Sequence, residues 1–521
     1  SDLFDKSFNT YAPTSLNSFF KDLKSLKTIT DLEYLNTANV TDMSSMFDGC
    51  GKLTKLDISN FNTAGVMDMS SMFEDCGKLT KLDISKFNTA NVKNMRSMFE
   101  GCGILTELNL SNFNTANVTD MSHMFSKCAV LASLDLSKFN TTNVTSMSHM
   151  FSGCTKLASL DFSKFNTENV KEMISMFYSC ENLTLLDLSN FNTTKVMNMS
   201  YMFNKCSILQ TIYVSDNFVV TGITNEKNKK DMFTDCKALK GALPEYDATK
   251  TNVEFANYKT GYFTKLVVRN GDERYGIAGE TTQLIVDKLS LDDTKDLVVY
   301  DPFTATAASY SRTMEDGTTW ATLCLPFEVL LDGQNFRAFK LLSADERTNT
   351  IELEEIETNI AAGTPVIIKM NEGETKLKFT VANKAIAKDV KIAATADGRY
   401  QLVGLYTTKM FDKTTDNNCY ILKADKLMNP AKILSGTSTK AVGSKPFRAY
   451  MVDNSQSSAS GAKMFSISEN GSNPTGIDQL TDTLNDSNAV YYDLQGHRLS
   501  QPQKGINILK VGNKTMKVII K

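Results

Sequence analysis

Histidine is nearly absent: the chain has three, His123, His149 and His497, in 521 residues, and a single tryptophan, Trp320. So few imidazoles leave almost no material for a Ser-His-Asp or Cys-His nucleophile or for a histidine-rich metal site. No run of eighteen or more apolar residues occurs, so no segment reads as a transmembrane helix. The first residues, Ser1-Asp2-Leu3, offer neither an initiating methionine nor an apolar leader, and the chain reads as mature, its signal peptide or lipid-bearing segment removed. Charge of one sign is not concentrated either. The 56 Lys+Arg balance 59 Asp+Glu to a net of -3, which gives no reason to expect nucleic acid or an anionic membrane as partner.

Cysteine is present, but not as a scaffold of bridges. Eight of the ten cysteines sit in copies of one motif. Met-Phe-x-x-Cys recurs at Met46, Met72, Met98, Met124, Met150, Met176 and Met202, each 26 residues after the last, with an eighth copy at Met232 after 30. In the first unit the recurring apolar positions are Val40, Met43, Met46, Phe47, Cys50, Leu53, Leu56, Ile58 and Phe61. A period of this size signals a solenoid, and Leu53-x-x-Leu56-x-Ile58 matches the strand of a leucine-rich repeat. On the opposite arm, Val40, Met43, Met46, Phe47 and Cys50 stand three, three, one and three residues apart. That spacing predicts a short helix capped by Thr41.

The expected fold class is therefore α+β and multidomain: a leucine-rich-repeat solenoid with a short strand and a short helix per coil, then a β-sandwich-like all-β region. A single unit buries too little to offset its own ordering, so the units must stack and the ends must be atypical. Residues 1–35 carry a degenerate unit, with Phe19-Phe20 in place of Met-Phe and Leu26, Ile29 and Leu32 as a strand-like edge; they read as an N-terminal cap. Residues 36–241 hold the repeats. Residues 242–264 close the array at Gly261-Tyr262-Phe263-Thr264.

The string Asn39-Val40-Thr41-Asp42-Met43-Ser44-x-Met46-Phe47-x-x-Cys50 and the closing Gly-Tyr-Phe-Thr resemble the Treponema pallidum-type leucine-rich repeats of BspA-like bacterial surface proteins. Similar repeats are typical of mycoplasma lipoproteins and of surface proteins of gut and oral bacteria. The resemblance covers residues 1–264, about half the chain. It implies adhesion to host matrix proteins, other bacteria or epithelial cells, with protein or glycan ligands at a bacterial outer surface or outside the cell. It names no ligand. Nothing in the sequence identifies a cofactor or a catalytic residue, and the chain is expected not to be an enzyme.

Within the repeats, Cys50, Cys76, Cys102, Cys128, Cys154, Cys180 and Cys206 should lie over one another at about the 4.8 Å strand spacing. Side chains in register point the same way, which keeps their β-carbons too far apart for disulfides. A reduced, buried ladder of small hydrophobes is expected, against disulfides or a metal. Asp57 lies between two core positions and must point outward, as must Asp83, Asn109, Asp135, Asp161 and Asp187, with Lys55, Lys81 and Glu107 two places before. This strip reads either as an adhesive or cation-binding face or as ordinary solvated surface with some Lys-Asp compensation. It lacks the exposed aromatics that usually anchor interfaces, apart from Tyr213 at its end.

The recurrent Asn62-Thr63 pair reads as the turn after the strand, and Asn-x-Thr triplets at Asn39, Asn117 and Asn143 read as turn chemistry rather than glycosylation signals. His123 and His149 occupy equivalent places one repeat apart. Two stacked imidazoles could hold a metal, but Ser and Tyr fill the same place elsewhere, which favours a partly exposed position.

From about residue 265 the period is lost and short apolar or alternating runs follow, such as Leu377-Lys378-Phe379-Thr380-Val381 and Val366-Ile367-Ile368. These predict an all-β sandwich-like domain over 265–470. Trp320-Ala321-Thr322-Leu323-Cys324-Leu325-Pro326-Phe327, Ala362-Gly363-Thr364-Pro365 and Phe447-Arg448-Ala449-Tyr450 resemble a β-rich module of Bacteroides and Prevotella surface proteins. Trp320 reads as a core anchor or, alternatively, a sugar-stacking platform, which would make the β-rich half carbohydrate-binding. Glu352, Glu354, Glu355 and Glu357 are paired carboxylates on a strand, a pattern usually solvated. Residues 471–489 read as a polar linker. Residues 490–521 read as three strands and resemble the C-terminal sorting segments of the same bacterial group, though shorter.

Overall fold

Turns, not helices, build each coil in the computed structural model. Between residues 40 and 50, the amides of Met46, Asp48 and Cys50 donate three residues back, to Met43, Ser45 and Phe47, at 3.3, 3.2 and 3.1 Å. The intervening amides of Met43, Ser45, Phe47 and Gly49 donate instead to Asp68, Ser70, Met72 and Glu74 of the next coil, at 2.8 to 3.0 Å. Alternate amides thus bind within the coil and between coils, so the backbone is satisfied without a helix. The chain is left-handed at Ser45 (φ 53°) and again at Gly49 (φ 74°), and at their counterparts His123 (φ 61°) and Lys127 (φ 59°). A right-handed helix cannot accommodate such residues every fourth position.

The helix expected in each coil is therefore a misreading, and so is the α+β class. Serial turns of three residues produce the same three, three, one, three spacing as a helical face. Among the described residues the one α-helix is Pro430–Leu434, and the chain is built almost wholly of strands and turns. The opposite arm also departs from expectation. Regular strand forms only at Leu185–Asp187 and Thr211–Val214, parallel with Leu185 opposite Thr211, and the second pairs in parallel with the start of Phe263–Asn270.

The structure describes residues 6–281, 283–315, 317–435, 439–455, 464–469, 490–493, 498–499, 501, 505–511 and 514–520. They divide into two compact units, Ser1–Val267 with Arg274–Leu284, and Val268–Glu273 with Ile285–Lys521.

In the first unit the periodic residues form one continuous core. Val40, Met43, Met46, Phe47, Cys50 and Leu53 are fully buried, as are their counterparts in the six coils that follow, through Leu209. Leu56 is only half-buried. The rings of Phe20, Phe47, Phe73, Phe99, Phe125, Phe151, Phe177, Phe203 and Phe233 stack with centroids 5.3 to 5.9 Å apart and planes within 12°. Phe20 starts this column, as a degenerate first unit requires; Leu32 lies in a short 3-10 turn rather than a strand. At the other end Phe263 meets Phe203, Phe218 and Phe233 edge-on. Gly261 makes that closure possible, since a β-carbon there would lie 2.0 Å from the Phe255 carbonyl oxygen.

The second unit is built of curled sheets rather than a simple sandwich. Ten strands run in the order Ile392–Ala394, Tyr400–Gly404, Ala449–Asp453, Cys419–Lys423, Lys426–Met428, Met464–Glu469, Thr350–Ile356, Phe336–Asp345, Val366–Met370 and Trp320–Leu323. A separate three-stranded sheet joins Lys376–Ile386, Phe303–Thr313 and Ile285–Asp292. Along Lys376–Ile386 the alternation of a strand is plain: Leu377 and Phe379 are buried while Lys376 and Lys378 are exposed. The last residues form four antiparallel strands instead of three, ordered Arg498–Leu499, Val490–Tyr492, Gly505–Val511 and Lys514–Ile520. The linker expected at 471–489 and His497 lie outside the described residues.

Candidate functional site

Lys55, Asp57, Lys81, Asp83, Glu107, Asn109, Asp135 and Asp161 are all exposed, on successive coils of the first unit. Lys81 and Glu107, equivalent residues one repeat apart, form an ion pair of 3.3 Å that joins two neighbouring coils. Each strip acid also has a local task. The Oδ1 atoms of Asp57, Asp83, Asn109, Asp135 and Asp161 accept the backbone N–H of the serine two residues on, at 2.8 to 3.0 Å. The hydroxyls of Ser59, Ser85 and Ser137, and then these backbone bonds, hold the carboxyls of Asp57, Asp83 and Asp135 below their ordinary range. The turn uses Oδ1. Asp187 differs: it is half-buried, and its Oδ2 accepts from Arg274 Nε at 2.8 Å.

A second polar ladder escaped the sequence reading. Ser15, Asp42, Asp68, Asn94, Asp120, Ser146, Glu172 and Asn198 pair in parallel bridges from coil to coil. Asp42, Asp68 and Asp120 accept from Ser44, Ser70 and Ser122 as the strip acids do from their serines. The shared Asp-x-Ser pattern was the available signal, and it marks a turn device wherever it recurs.

Behind the turns, Thr63 is buried, its hydroxyl donating to the Asn88 carbonyl and accepting from the Asn88 amide at 3.1 and 2.8 Å. The pattern repeats at Thr89, Thr115, Thr141 and Thr167. Asn62 Oδ1 accepts from the Ala64 amide and closes the turn itself. Asn117 and Asn143 donate to the Ala90 and Ala116 carbonyls of the preceding coil, at 2.8 and 2.7 Å.

All ten cysteines are free and buried. Cys50, Cys76 and Cys102 donate Sγ–H to the carbonyls of Phe20, Phe47 and Phe73, at 3.1 to 3.2 Å. Burial pushes the thiols of Cys102, Cys154 and Cys206 up to about 12. His123 and His149 stack at 4.4 Å, as their register required. His123 Nδ1 lies 3.3 Å from Glu100 Oε2, and Lys127 Nζ lies 3.0 Å from Oε1. Burial would raise Glu100, but the close approach of His123 and hydrogen bonds from Lys127 and Ser97 outweigh it and hold the carboxyl at about 2. Among the described residues no group of three or more His, Cys, Asp or Glu is arranged to hold a metal.

In the second unit Trp320 is buried, its ring against Phe339 at 5.4 Å with Lys369 Nζ over it at 5.2 Å. Glu355 pairs with Arg337, Glu354 with Lys340 at 3.0 Å, and Glu352 accepts from Ser343 at 2.9 Å, so these three carboxylates are spent along their strand pair.

Residues 14–135, 104–218 and 130–246 match the family described as "Mycoplasma protein of unknown function, DUF285". The three matches overlap, as a repeat array would, and cover less than half of the chain. The first unit is thus similar to that repeat family and compatible with the BspA-like resemblance. No curated protein matches the chain. Among the described residues no helix is long and apolar enough to cross a membrane.

Proposed function

We propose that the protein is a BspA-like binding protein of a bacterial outer surface, or secreted, that engages protein or glycan ligands through the outward row of its repeats rather than acting as an enzyme. The observation that carries this reading is the exposed row from Asp57 to Asp161, one polar residue per coil and an acid in every coil but that of Asn109, with the Lys81–Glu107 pair beside it joining two of the coils. Repetition turns a weak single contact into a multivalent one. A rigid stack also presents its charges without an ordering cost at binding.

Asn109 supplies a clean test, because it fills the same turn with Oδ1 and carries no charge. The combined substitutions Asp57→Asn, Asp83→Asn, Asp135→Asn and Asp161→Asn should keep every turn and remove four charges. The full chain and this variant would be compared on an array of host matrix proteins, bacterial surface proteins and glycans. Binding by the full chain that weakens about tenfold in the variant supports the reading. No binding at all, or equal binding by both, refutes it.

A further inference from the structure

The second unit contains a cavity of about 720 Å³ whose lining includes Arg312, Arg448, Lys376, Lys378, Lys423 and Lys445 against two carboxylates, Asp293 and Glu315. The imbalance is not relieved by neighbours. Asp293 serves two cations at once, accepting from Arg448 Nη2 at 2.8 Å with Lys445 Nζ at 3.6 Å. Arg312 donates from Nη1 to the Thr322 carbonyl at 3.0 Å. The Nε atoms of Arg312 and Arg448 are shielded from solvent and have no acceptor. Lys376, Lys378 and Lys423 are exposed and pair with no carboxylate among the described residues.

An unpartnered buried donor on a cation is costly, and burial together with the nearby Arg448 lowers the pKa of Arg312. Two half-buried arginines and three exposed lysines among the lining form a concave, cationic site. The planar fork of a guanidinium pairs bidentately with two oxygens of a carboxylate, sulfate or phosphate. The volume lies in the range of small-ligand pockets, roughly 300 to 1,000 Å³.

We propose that this cavity binds a small ligand bearing at least two oxyanion groups, one for the Arg312–Arg448 pair and one for the lysines, as the uronate and sulfate of an acidic disaccharide would supply. The site belongs to the second unit and stands whether or not the acidic row of the repeats binds anything.

The test is calorimetric titration of the full chain with a heparin-derived disaccharide, inorganic sulfate and the neutral disaccharide cellobiose. The expected result is one saturable site for the acidic disaccharide, weaker binding of sulfate and none of cellobiose. The double variant Lys378→Ser and Lys423→Ser, which changes only exposed side chains, should weaken the disaccharide about tenfold. Arg312→Met should abolish binding; if that variant fails to fold, the lysine variant decides alone. Absence of saturable binding, cellobiose binding as well as the acidic sugar, or an unchanged affinity in the lysine variant would overturn the proposal. Sulfate binding as tightly as the disaccharide would overturn its two-group form.

Discussion

The two units hold themselves together over different distances along the chain. In the repeats, the bonds that join elements span about one period: Thr63 to Asn88, Cys76 to Phe47, Met43 to Asp68. In the second unit the decisive bonds join distant segments, Thr319 to Asp425, Thr322 to Ala449 and Arg448 to Asp293. A repeated short-range bond leaves a periodic trace in the sequence, whereas a single long-range one leaves none. The comparison also bears on cooperativity, because a stack in which each coil touches only its neighbours can loosen locally, while a sheet of ten strands cannot.

The largest effects should come from matched truncations. Phe125→Ala removes one ring from the middle of the column, and Phe465→Ala removes a fully buried ring packed on Tyr400 and Tyr420. Each should cost about 3 to 5 kcal/mol. Hydrogen exchange should find the first loss confined to neighbouring coils and the second spread across the ten-stranded sheet; equal spreading would break the comparison. Next, Thr115→Val leaves the amide and carbonyl of Asn140 without the buried hydroxyl that serves both. A loss of about 1 to 3 kcal/mol is expected in denaturant unfolding, with nothing comparable at an exposed threonine.

The period and the core were legible because each is stated seven or eight times, and the caps because they break that statement. Phe47, Met46 and Cys50 announce a buried column, and Gly261-Tyr262-Phe263-Thr264 announces its end. The backbone of the arm was not legible from its apolar spacing, since turns and a helix give the same one. The residues between carried the missing signal: Ser45, His123, Tyr201 and Asp231 share one left-handed position, and Gly49, Gly101 and Gly153 share the other. Asp57, Asp83, Asp135 and Asp161 point outward as read while Asp187 is half-buried against Arg274, and the Asp-x-Ser bonds were not read, because turn closure and ligand binding call for the same residue type. In the second unit alternation gave strands such as Lys376–Ile386, while the cavity escaped notice: Arg312, Lys378 and Arg448 meet only through the fold.

A smaller effect is expected from pH. Burial, and then the charge of His123, lower His149 from 6.5 to about 4, while Glu100 and the cations Arg96 and Lys127 act on it less. The unfolded chain therefore takes up the proton first. Stability that depends on neutral His149 is complete above pH 6.5 and is lost as pH falls toward 4; Glu100, lowered from 4.5 to about 2, adds a further loss between those values. Melting between pH 7 and 5 should drop by roughly 2 to 4 °C, and His149→Ser, the residue at Ser97 and Ser175, should flatten that drop. An unchanged slope would remove His149 from the account. The smallest effect is chemical: a thiol reagent should modify none of the ten cysteines in the native protein and all ten in denaturant. Labelling of the native repeats would mean that the column is open to solvent.

The claim on which the rest depends is that the coils are made of turns joined by bonds to the next coil, which is what turns one residue per coil outward in a row. Far-ultraviolet circular dichroism of the full chain tests it most directly. The expected spectrum is that of strand and turn, without the double minimum of an α-helix; a helical signal large enough for one short helix in every coil would contradict it.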